Sequence, residues 1–226
     1  MTTKARHEQY HDRGIFADDQ GFPVPFPAVL PQSAKQLSLY VLNKQRMDST
    51  EEIIRQTRKW VNDVVAGCNF CPFVAREIRQ NSIHYQVEEA VDLPNSLQSL
   101  LNECKRMDTT GIETVLLIFS KGFKKFDDYL ELLALAEKLL KKEKYEGVYQ
   151  LASFHPNYVF AGAPPDDPAN YTNRSVYPML HLLREDTIEQ ALKHYPHPEK
   201  IPDRNIAFAR NKGIDYMKSL LENCAR

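Results

Sequence analysis

The segment "ETVLLIFSKGFKKFDDYLELLALAEKLLKKEKYEGVYQLASF", Glu113 to Phe154, opens with an unbroken apolar run. A strand with one wet face alternates polar and apolar residues. Glu113–Ser120 does not, so it predicts a central strand covered on both faces. Lys125–Glu143 follows with the spacing of an amphipathic helix, and Gly147–Phe154 predicts a further strand. Upstream, "NSIHYQVEEA" sets Ile83, Tyr85 and Val87 against His84, Gln86 and Glu88, the period of a half-exposed strand. Ser96–Met107 predicts a short helix with Leu97, Leu100, Leu101 and Cys104 inward. Ser49 and Glu52 stand in capping-box spacing before Ile53, Ile54, Thr57, Trp60, Val61, Val64 and Val65, which share one helical face, with Gly67 as its C′ stop. Downstream, Pro178–Glu185 predicts a fourth strand. Asp186 and Glu189 open a helix, and Asp203–Arg226 closes the chain as one or two helices. This alternation predicts an α/β (α+β layered) fold, a mixed, roughly four-stranded sheet covered by helices. A ferredoxin-like variant is the simplest such topology.

The length of 226 residues suits one domain with a sizeable core. Residues 1–47 lack helical or strand periodicity and form a Pro-rich N-terminal arm; residues 48–226 form the domain. Within the arm, Gly21–Pro31 ("GFPVPFPAVLP") alternates Pro with apolar residues, which favours an extended, polyproline-like path. A net charge of −1 excludes a global basic field, and with it general nucleic-acid binding. No apolar run approaches the roughly 20 residues that span a bilayer. The first residues, "MTTKARHEQYHDRG", lack the apolar core of a secretory signal, so a cytoplasmic location is expected. Four cysteines are too sparse for a disulfide scaffold and are expected as reduced thiols.

Two places carry residues suited to chemistry. The first is "GCNFCPF", Gly67–Phe73. Cys68 and Cys71 have the spacing of half a zinc site, but no second pair exists to complete four ligands. Pro72 favours the first turn of a helix, which would put Cys71 at its N-cap, where backbone N–H groups stabilise a thiolate. The second is the long segment from His155 to Asp186. His155 ends a predicted strand, Asp166 and Asp167 follow a Pro pair, and Asn170, Thr172, Asn173 and Arg174 come next. His181 faces away from Leu180 and Leu182 in the fourth strand, and Arg184 stands at its end. Each has an ordinary structural use: Asn and Asp cap turns, Arg174 pins the loop to an Asp, and His181 is a satisfied half-buried imidazole. Together, on one scaffolded loop, they predict a polar pocket.

The words "NFCPF", "GVYQLASFHPNYVFAG" and "DDPANYTNRSVYPMLHLLRED" together resemble the bacterial family known as domain of unknown function 1415. The resemblance covers about Ser49 to Leu221. It places the family's Cys-Pro-Phe word on Cys71–Phe73, its His-Pro word on His155 and Pro156, its Asp pair on Asp166 and Asp167, and its Asn-Tyr-Thr-Asn-Arg-Ser word on Asn170–Ser175. In the family pattern an apolar residue stands where this chain has Cys68, which argues against a role needing both thiols. The resemblance implies no particular activity.

Three functional expectations follow. In one, Cys71 is a nucleophile, His155 its base and Asp166 or Asp167 the orienter of a thiol-dependent hydrolase or acyl transferase, with Asn170, Thr172, Asn173, Arg174, His181 and Arg184 binding a small anionic molecule. In a second, His155 and the Asp pair hold a catalytic metal. In a third, the domain binds a ligand or partner without chemistry. The sequence names no cofactor and no oligomeric state.

Overall fold

The computed structural model describes residues 16–17, 23–24, 49–193 and 195–226. Contacts divide the chain into Met1–Asp48 and Ser49–Arg226. In the first unit, β1 (Phe16–Ala17) pairs antiparallel with β2 (Pro23–Val24). The rest of the Pro-rich stretch, and the extended path expected for it, lies outside the described residues.

The second unit is built around four strands: β3 (Ile83–Glu88), β4 (Thr114–Phe119), β5 (Tyr149–Phe154) and β6 (Met179–Arg184). Their order in the sheet is β3-β4-β6-β5. β3 and β4 are parallel, and β6 runs antiparallel to both β4 and β5. The sheet is therefore mixed, as expected. A ferredoxin-like split βαβ unit leaves room for a strand between its two parallel ones. Here β3 and β4 are direct neighbours, because the helix between them crosses only to the adjacent strand.

Seven α-helices pack on the two faces among the described residues: α1 (residues 49–60), α2 (Val74–Gln80), α3 (Leu93–Thr109), α4 (Phe126–Lys142), α5 (Glu185–Leu192), α6 (Ile201–Lys212) and α7 (Ile214–Cys224). Every residue of β4 is buried, which is why its sequence does not alternate. Val115, Leu117 and Phe119 meet α3 and α4 through Leu100, Met107, Tyr129 and Leu132. Leu116 and Ile118 meet the other layer, which holds Trp60, Val64, Ala209 and Met217. Each such side chain contributes about 2 kcal/mol on burial.

Several boundaries differ from the sequence expectation for local reasons. α3 begins before Ser96 because the Asp92 carboxylate accepts the Asn95 N–H at 3.0 Å and Pro94 sits in the first turn. The helical stretch ends at Gly67, as expected, but not directly from α1. α1 continues as a π-helical turn, Val61–Ala66, and Gly67 keeps a right-handed φ of −62°. α2 starts after Phe73, so Cys71 is not its N-cap. Pro72 instead occupies a turn closed by the Val74 N–H on the Cys71 carbonyl at 3.4 Å. The C-terminal segment is two helices, broken at Gly213 with φ 81°.

Candidate functional site

The loop that follows β5 spends its polar side chains on its own backbone. His155 is fully buried. Its Nδ1 accepts the Asn157 N–H at 3.0 Å, so its Nε2 carries the proton and donates to the Phe123 carbonyl at 2.9 Å. The ring lies against Phe126 and Tyr129, at 5.2 and 5.1 Å between centroids. Burial lowers its pKa. A general base needs a free lone pair, and this one is occupied. Asp167 receives the Arg210 guanidinium at 2.7 Å, which holds the carboxyl below its ordinary range, and also caps the 3₁₀ turn Pro168–Thr172 through the Ala169 N–H. Asp166 is exposed.

The amides behave likewise. Asn170 is fully buried; its Oδ1 accepts the Phe160 N–H and its Nδ2 donates to the Pro164 carbonyl, at 3.0 and 2.9 Å. Thr172 donates to the Ala169 carbonyl and Asn173 to the Ser153 carbonyl. Arg174 donates to the carbonyls of Tyr158 and Pro165 and covers the Tyr171 ring. The guanidinium expected to hold an anion is thus engaged in folding the loop. The Cys71–His155–Asp constellation is not assembled, because His155 packs against α4 while Cys71 packs on the opposite face of the sheet. Among the described residues no three His, Cys, Asp or Glu side chains are grouped to hold a metal ion.

On that opposite face lies a cavity of about 410 Å³. Its floor is the sheet: Leu116 of β4, Ala152 and Phe154 of β5, His181 and Leu183 of β6. Trp60, Val61 and Val65 form one wall, Cys71–Val74 a second, and Ile188 and Ala191 of α5 a third. The period of two in β6 turns His181 to this side, opposite Leu180 and Leu182, as its sequence position implied. Strand pairing sets it between Leu116 and Ala152. The loop serves the cavity indirectly, since the Trp60 indole donates to the Arg174 carbonyl at 3.0 Å and stacks edge-on against Phe154.

The polar lining is sparse and mostly paired. Arg184 stands 3.6 Å from Glu113, donates to the Met107 carbonyl, and lies over the Tyr149 ring. Arg76 and Glu77 form a second opposite-charge pair at 3.9 Å. Deeper in, Thr114 Oγ1 lies 2.7 Å from the Leu182 carbonyl and 2.5 Å from His181 Nε2. Burial pushes the His181 pKa down to about 4, so the imidazole is neutral at neutral pH. Burial also pushes the Cys71 thiol up, against backbone N–H groups of Phe73 and Val74 that pull the other way. Of the residues expected at a site, the structure brings Cys71, His181 and Arg184 to one cavity and leaves the loop residues outside it.

A family model described as a protein of unknown function (DUF1415) matches residues 52–219. The chain belongs to this family. The DUF1415 match begins within α1 and ends within α7, so it takes in every residue that lines the cavity, from Trp60 to Ala191. No curated protein and no solved structure matches the chain. No helix among the described residues is long and apolar enough to cross a membrane.

Sequence reasoning missed Thr114 and the aromatic wall of Trp60 and Phe73. Trp60 was legible only as a core residue. Thr114 was visible as a hydroxyl opening an apolar strand, but only strand pairing sets it beside His181.

Proposed function

We propose that this DUF1415 domain binds a small, predominantly apolar molecule in the cavity over the sheet, without covalent chemistry. The observation that carries this is the cavity itself, about 410 Å³ and walled by Trp60, Phe73, Phe154, Leu116 and Ile188. Mostly apolar concavities of a few hundred Å³ with few polar groups are the usual form of ligand pockets. Its charged residues occur as opposite-charge pairs, Arg184 with Glu113 and Arg76 with Glu77, so they do not form an anion funnel. A thiol-dependent reaction is not part of this reading. His155 offers Cys71 no base, and burial keeps the thiol protonated.

The uncharged fluorophore N-phenyl-1-naphthylamine tests the reading. Wild-type protein is expected to give a saturable rise in its fluorescence. Ala152→Trp places an indole over the sheet floor and is expected to abolish saturation while leaving the far-ultraviolet circular dichroism unchanged. No saturable signal with the wild type, or equal binding by a folded Ala152→Trp variant, sinks the idea.

A further inference from the structure

The cavity floor carries an imidazole nitrogen without a partner, Nδ1 of His181. The Thr114 hydroxyl has a single proton and two contacts, the Leu182 carbonyl at 2.7 Å and His181 Nε2 at 2.5 Å. A carbonyl cannot donate, so the hydroxyl proton goes to Leu182. The hydroxyl oxygen then accepts from His181, which fixes the Nε2–H tautomer. Nδ1 is left with a free lone pair. Among the described residues nothing donates to it, and it is not one of the sealed, unsatisfied atoms, which are His84 Nε2 and Glu103 Oε2. It therefore keeps access to the cavity that His181 lines.

His181 is half-buried and lines the cavity. The contrast with His155 is informative. There a buried imidazole has a backbone N–H on Nδ1 and a carbonyl on Nε2, and the protein satisfies both nitrogens itself. At His181 the donor is missing on the side that opens to the cavity, and the flanking floor residues Leu116 and Ala152 have no hydrogen-bonding side chains.

We infer that the ligand is an uncharged hydroxyl compound of aromatic build, which lays its ring among Trp60, Phe73 and Phe154 and donates its O–H to His181 Nδ1. This rests on the proposal that the cavity binds an apolar molecule, and adds what the ligand must carry. A carboxylate fits poorly, because it brings a second acceptor to a lone pair and finds no unpaired cation at that depth. A plain hydrocarbon fills the walls and leaves the lone pair unmet. Thr114 acts here as a positioning residue: it selects the tautomer that makes Nδ1 the acceptor.

The test compares naphthalenes of one shape by calorimetric titration at pH 7: 2-naphthol with a donor, 2-methylnaphthalene with none, 2-methoxynaphthalene with an acceptor only, and 2-naphthoate with a charge. The wild type is expected to bind 2-naphthol about tenfold more tightly than either uncharged analogue, the worth of one hydrogen bond to an otherwise unpaired group. His181→Phe is expected to erase that preference while keeping 2-methylnaphthalene. A measurement on the wild type alone guards against a variant that misfolds: the lone-pair ¹⁵N resonance of His181 should move upfield with 2-naphthol and stay put with 2-methylnaphthalene. Equal affinities for the three uncharged compounds, preference for 2-naphthoate, or an unmoved Nδ1 resonance would overturn the inference and leave the apolar-cavity reading standing. If none of the four binds, both fall together.

Discussion

At the scale of single residues, the polar loop is a case of backbone accounting. Pro156, Pro164, Pro165 and Pro168 have carbonyls but no N–H groups, so the loop has fewer backbone donors than acceptors, even though backbone bonds such as the Asp167 N–H on the Pro164 carbonyl close its turns. Side chains supply the missing donors. Asn170 Nδ2 reaches the carbonyls of both Pro164 and Pro165, and Arg174 reaches that of Pro165. This explains why the sequence pointed to the loop as a site. The same inventory of amides, a guanidinium and an imidazole serves a binding pocket or a proline-rich fold, and only partners distinguish them. Asn170→Ala should therefore act on stability. It strands the Phe160 N–H, whose acceptor is the fully buried Asn170 side chain, while the Pro164 carbonyl keeps the Asp167 N–H at 3.0 Å. The expected loss is about 1–3 kcal/mol, read from urea midpoints at unchanged slope, the cost of one such group left unpaired. A loss under about 0.5 kcal/mol, within the range of surface substitutions, would mean the loop is not held this way.

At the scale of elements, the π turn Val61–Ala66 forms part of the cavity wall, since Val61 and Val65 both line it. Gly67 ends that turn for lack of space rather than for conformational freedom. A Cβ added there would lie 2.2 Å from the Asp63 carbonyl oxygen. Gly67→Ala is expected to cost about 1–3 kcal/mol, as overpacking does, and to weaken N-phenyl-1-naphthylamine binding with it. A variant of wild-type stability and affinity would show that the turn does not need this residue. The strands and long helices were legible because each obeys one period over many residues. The π turn was not, since Trp60, Val61, Val64 and Val65 fit a helical stripe in either register. The early start of α3 was legible in Asp92 and Pro94, an N-cap and a first-turn Pro, but the Leu stripe drew the boundary inward.

At the scale of the whole molecule, layering followed from the alternation of elements, whereas strand order and the site did not. The cavity draws on α1, the π turn, α2 and the turn before it, all four strands and α5, segments spread from Trp60 to Ala191, and no local pattern ties them. The two histidines that the sequence offered as chemistry remain coupled to the whole fold through protonation. His181 is pushed down to about 4 and His155 is lowered, in both cases first by burial. An unfolded histidine takes its proton near pH 6.5, above either folded value, so the unfolded chain gains protons first as the solution is acidified. Stability from His181 is thus fully present above about pH 6.5 and is lost as the pH falls toward about 4, below which it changes no further. Asp167 adds a separate loss lower down, because Arg210 depresses its carboxyl. Urea denaturation from pH 7 to pH 4 is expected to show His181→Phe losing about 3 kcal/mol less stability than wild type over that interval, the free energy of a shift of this size. Both proteins should fall alike below pH 4, where protonation of Asp167 removes its pairing with Arg210. Parallel curves from pH 7 to pH 4 would mean that the imidazole charges as readily folded as unfolded, and that the cavity floor is open to bulk water.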